Sequence, residues 1–90
     1  MSSTIVKEKI AAGATILDVR TPGEFRSGGY PGALNIPLQE LPQRLGELTK
    51  GKPVVVYCAS GTRSATAAVL LQRAGFPEVI NAGGLRHMPR

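Results

Sequence analysis

Residues 54–75 read VVVYCASGTRSATAAVLLQRAG. An apolar run leads into the chain's single cysteine, Cys58, then into a short polar loop, and an alanine- and leucine-rich stretch closes at Gly75. A β-branched run without polar alternation is the pattern of a central parallel strand covered on both faces. After the loop the spacing turns helical. Ala65, Ala68 and Val69 form one stripe and Ala67, Leu70, Leu71 and Ala74 the adjacent one, with Thr66 and Arg73 left toward solvent. This predicts a helix buried over a wide arc and ended by Gly75, with Pro77 beyond.

The same alternation extends to both sides. Residues 4–12 suit a helix with Thr4 or Ser3 as N-cap, Val6 and Ile10 on one face and Gly13 at its end. ATILDV, residues 14–19, reads as a short buried strand. In TPGEF, Thr21 caps a helix, Pro22 takes its first position and Glu24 completes a capping box, and Gly28 and Gly29 stop it. ALNI, residues 33–36, is a second strand, isolated by prolines on both sides. Leu38, Leu41, Leu45 and Leu48 recur at helical spacing, with Pro42 tolerable only in a first turn. EVI, residues 78–80, is a last short strand closed by NAGG. Strands alternating with helices imply an α/β fold, a mostly parallel central sheet with helices on both faces. Ligands of such sheets bind outside the carboxyl ends of the strands, which is where Cys58 falls.

With 90 residues the chain reads as a single domain over residues 1–90. Hydrophobic residues at 42% and charged residues at 19% describe a globular protein, and no apolar run has the ~20 residues of a membrane span. The start, MSSTIVKEKIAAG, lacks the apolar core of a signal peptide, so a cytoplasmic location is expected, with no membrane partner and a monomeric state. The net charge of +5 suits an anionic substrate or an acidic partner. Basic residues are not interleaved with aromatics, so nucleic acid is not expected as a partner. With one histidine and one cysteine, neither a Cys-His dyad nor a histidine-rich metal site is expected, and no cofactor is implied.

One cysteine cannot form an intramolecular disulfide, which leaves Cys58 as a small core residue or a reactive thiol. Its surroundings favour the second. A tight strand-to-helix loop, Ala59, Ser60, Gly61, Thr62 and Arg63, turns backbone N–H groups inward as an anion-binding nest, and the helix N-terminus adds positive potential. Gly61 relaxes the limits on φ that such a turn imposes. A thiol held there ionises more readily, and the thiolate is the nucleophile. Arg63 adds a charged fork able to hold an oxyanion beside the sulfur. Ser60 and Thr62 either contact the same anion or cap the helix. Asp18 and Arg20, two apart on one side of a strand, read as a structural ion pair near the site. His87 reads as a solvated tail residue.

LDVRTPGEFRSGGYPGALNIP, VVVYCASGTRSATAAVLLQRAGF and VINAGGL together resemble a single-domain rhodanese, a thiosulfate-type sulfurtransferase, over residues 14–85. The resemblance implies a rhodanese-like α/β fold, Cys58 as carrier of a persulfide, residues 58–63 as the cradle of that sulfur, and Arg63 as the site of an anionic donor. Thiosulfate would be that donor, and cyanide, a thiol or an acceptor protein would take the sulfur. The six-residue loop from Cys58 to Arg63 matches sulfurtransferases, whereas related dual-specificity phosphatases have one residue more. Two departures stand out. Gly29 and Tyr30 replace the His and Ile of the family's usual GHIPGA, and Met88 stands where Trp commonly follows the GG turn. With the sequence stopping at Arg90, an open active-site wall is expected. The alternatives are a rhodanese-fold binding module without turnover, or a persulfide relay to a biosynthetic partner.

Overall fold

The computed structural model describes residues 3–90. Its elements are α1 (Ser3–Ala11), β1 (Thr15–Asp18), α2 (Pro22–Arg26), β2 (Leu34–Asn35), α3 (Leu41–Arg44), β3 (Val54–Cys58), α4 (Thr62–Arg73) and β4 (Val79–Gly84). Ser3 and Thr4, the expected caps of α1, both lie inside it, and what precedes them is outside the described residues.

The four strands form one parallel sheet in the order β2-β1-β3-β4. From β1 the chain moves outward to β2, then crosses back to place β3 on the other flank of β1. Adjacent central strands therefore lead away in opposite directions, which opens a crevice at their carboxyl ends. Strand period explains how the sheet fills both layers. Leu17 and Val19, with Val54, Val56 and Cys58, pack against Leu41, Leu48, Ala67, Ala68, Leu71 and Phe76. Ile16, Val55 and Tyr57 face the opposite layer with Val6, Ala82 and Met88.

Three expectations are corrected. Leu38–Leu48 is not one helix but a 3-10 turn at Leu38–Glu40, the single turn α3 and a second 3-10 turn at Leu45–Glu47. Pro42 has no N–H to give and its ring collides with the carbonyl four residues back, so helix can only restart at Leu41. The leucines still face inward: Leu41 and Leu48 are buried, and Leu38 and Leu45 pack partly against the same core. Along α4 the inward face is Ser64, Ala67, Ala68 and Leu71, while Ala65 and Val69 face solvent, so the buried arc is narrower than expected. NAGG does not close the last strand; it continues β4 to Gly84, with a register break between Val56 and Tyr57 that passes over Ala82.

Candidate active site

β1 and β3 end side by side, with Asp18 in register with Tyr57 and Cys58 one residue beyond. The helices leaving these ends, α2 and α4, start at the same crevice. At the end of β1, the Thr21 backbone is extended and its side chain accepts from the Glu24 N–H at 3.2 Å, while Glu24 Oε1 accepts from the Thr21 N–H at 2.9 Å. The expected capping box is present.

At the end of β3, Gly61 adopts φ +107, a left-handed conformation that the Cβ of another residue disfavours. This turn aims the Gly61 N–H at Cys58 Sγ, 2.9 Å away. The Ser64 hydroxyl lies 3.5 Å from the same sulfur. Burial pushes the Cys58 thiol up, but hydrogen bonds from the Ser64 hydroxyl and the backbone N–H groups of Ser64, Gly61 and Ser60 outweigh it, and the net shift is downward. Ser64 Oγ is also 2.7 Å from Asn81 Oδ1 and 3.1 Å from the Gly61 carbonyl. A hydroxyl has one proton, so these acceptors share it with the sulfur. Asn81 Oδ1 in turn accepts from the Gly83 N–H at 2.9 Å, which fixes the amide under α4.

The remaining predicted residues divide. Ala59, Ser60 and Thr62 are exposed on the loop over the buried Cys58. Neither Ser60 nor Thr62 caps α4: the cap position is Gly61, with no side-chain hydrogen bond, so the capping alternative falls. Asp18 and Arg20 form a buried ion pair at 2.9 Å, which raises the Arg20 pKa. His87 is exposed, but its Nδ1 accepts from the Gly84 N–H at 3.1 Å, so it is tied to the end of β4.

Arg63 has a partner that sequence patterns do not disclose. Its two terminal nitrogens donate to the two carboxylate oxygens of Glu24, at 2.8 and 3.1 Å. The Arg63 fork, with the backbone N–H of Thr21, holds the Glu24 carboxyl down to about 2. Local pattern marked Glu24 only as part of a cap. Ser64 could have been found: it stands in phase with Ala67, Ala68 and Leu71, a polar residue at a core position.

The family profile described as Rhodanese-like domain matches residues 2–86. The chain belongs to this rhodanese-like family. It is 39% identical over 72 residues to the thiosulfate sulfurtransferase PspE of Escherichia coli, covering 78% of this chain and 69% of that protein. It is 41% identical over 69 residues to a sulfurtransferase of Allochromatium vinosum, covering 77% of this chain and 64% of that one. The chain thus spans about two thirds of the length of these curated relatives. Among solved structures, an E. coli rhodanese with anions superposes with a TM-score of 0.79 at 37% identity, covering 86% of this chain and 95% of that one. A human single-domain sulfurtransferase gives 0.84 at 29% identity, over 93% of this chain and 88% of its own.

Proposed function

We propose that this chain is a sulfurtransferase that carries sulfane sulfur on Cys58, taking it from thiosulfate or a similar donor and passing it to a thiophilic acceptor. The observation that carries the proposal is the Cys58 sulfur itself, held at 2.9 Å by an inward N–H of a strand-to-helix loop whose hydrogen bonds shift it toward the thiolate. The thiolate attacks the outer sulfur of thiosulfate, and the S–S bond breaks with its electron pair leaving on sulfite. The new persulfide keeps a single negative charge, which the inward N–H groups of the loop stabilise. Cyanide or a thiolate then takes the outer sulfur, and the Cys58 thiolate is restored. No oxidant enters either step. Cys58 is buried, with Ala59, Ser60 and Thr62 exposed on the loop beside it, so the donor approaches the sulfur from the side of this loop.

Intact-mass measurement after incubation with thiosulfate tests this. One sulfur atom should be added to the wild type and removed by cyanide or dithiothreitol, and Cys58→Ser should show neither. An unchanged wild-type mass with every common donor would support the binding module instead.

A further inference from the structure

We propose that Glu24 is a donor-selecting residue: its carboxylate occupies the Arg63 fork that an anionic donor would use, so the site sorts donors by their need for that fork. This rests on the sulfur-transfer function proposed above. The first-turn residues of the two helices that leave the central strands face each other across the crevice, and both terminal nitrogens of Arg63 are committed to Glu24. The pair is charge-neutral. The cation available to a dianion arriving at Cys58 is therefore already compensated, and the compensating group is tethered.

A tethered carboxylate competes at an effective concentration of about millimolar or more. Thiosulfate must displace it to engage both terminal nitrogens end-on as the carboxylate does, and at the remaining N–H groups it meets a guanidinium whose charge is already matched. A persulfide of a small thiol needs no such contact. Its outer sulfur is attacked by the Cys58 thiolate, the bond to the inner sulfur breaks, and the inner sulfur leaves as the donor's thiolate with that electron pair. Backbone N–H groups of the loop serve this transfer without Arg63. The geometry accordingly favours low-charge persulfides over thiosulfate as the donor class. Because the Arg63 fork and the Thr21 N–H hold the Glu24 carboxyl down to about 2, the competitor is ionised at neutral pH.

The experiment compares Glu24→Gln with the wild type, using thiosulfate and a small alkyl persulfide with no other charged group as donors and persulfide mass as readout. Gln keeps a capping-box side chain at this position of α2. Thiosulfate KM should fall roughly two- to fivefold, the upper part of the range for an exposed ion pair, with kcat and the alkyl persulfide KM changed by less than about 1.5-fold. In an Arg63→Ala background Glu24→Gln should have no effect on either donor, as a double-mutant cycle requires of a residue acting through Arg63. Equal changes for both donors, a rise in thiosulfate KM, or an effect that persists without Arg63 would each overturn donor selection. If Glu24→Gln lowers the melting temperature so far that it is not folded, Glu24→Asp substitutes, its shorter carboxylate giving up part of the fork and part of the KM. A wild type that takes sulfur from neither donor defeats the sulfur-transfer function itself; a sulfurated wild type with unchanged Glu24→Gln kinetics defeats donor selection alone.

Discussion

At Cys58 burial and hydrogen bonding pull the thiol in opposite directions, and donors decide the result. The largest single influence, burial, favours the neutral thiol; four hydrogen bonds to the sulfur, two of them from Ser64, reverse it. The alkylation rate of Cys58 should thus rise with pH through a midpoint below that of a free thiol. Ser64→Ala removes the hydroxyl but leaves the loop backbone, so its midpoint should move back up. Persulfide formation at neutral pH should fall roughly tenfold, the worth of one hydrogen bond to a charged group. A midpoint unchanged by the substitution would mean that the Ser64 proton stays on Asn81 Oδ1, its nearest acceptor at 2.7 Å.

At the scale of elements, what was legible in the sequence was whatever is decided within one turn or one strand. The apolar run of β3, the capping box of α2 and the inward leucines before β3 each depend on neighbours a few residues away. The inward turn of Ser64 is matched by Asn81, 17 residues away, whose Oδ1 accepts from the buried hydroxyl at 2.7 Å beside the local Gly61 carbonyl. Hydrophobicity alone therefore placed Ala65 and Val69 inward and overlooked Ser64. Glu24 and Arg63, 39 residues apart, meet only because β1 and β3 are neighbours. The extension of β4 through NAGG has a steric reason of the same kind: a Cβ on Gly84 would stand 2.3 Å from the Ala59 carbonyl oxygen. Strand β4 can pass the loop only as bare backbone. Gly84→Ala should displace the loop, lower persulfide formation more than about tenfold, and cost roughly 1–3 kcal/mol, the usual range for overpacking. Gly46→Ala, where an added Cβ meets nothing within 4 Å, should stay within about 0.5 kcal/mol of wild type in a melting curve. Equal effects of the two substitutions would remove the steric account of the loop.

Across the whole molecule, one phenol joins the parts that surround the site. Tyr57 is wholly buried in the layer opposite α4; its hydroxyl donates to Asp18 Oδ2 at 2.6 Å and accepts from the Tyr30 N–H at 2.9 Å. Asp18 holds Arg20, which reaches the Gly28 carbonyl at 3.0 Å, and the Tyr30 hydroxyl donates to the Pro89 carbonyl at 2.6 Å. Tyr30, one of the two departures from the usual family pattern, thus ties the turn before β2 to the end of the chain. Burial, then the hydrogen bond to Asp18, pushes the Tyr57 phenol up to about 12. A folded-state pKa above the ordinary value of about 10 stabilises the protonated fold, so this contribution is complete below about pH 10 and is lost as pH rises further. Tyr57→Phe leaves the Tyr30 N–H without its acceptor and removes a donor from Asp18, a cost of roughly 2–3 kcal/mol. For a domain of this size the melting temperature should drop by roughly 10–20 °C at neutral pH. The difference from wild type should narrow above about pH 10, where wild-type stability itself declines. A drop of under about 2 °C, or a difference that stays constant to about pH 12, would show that water replaces the phenol and that the two layers are not joined through Tyr57.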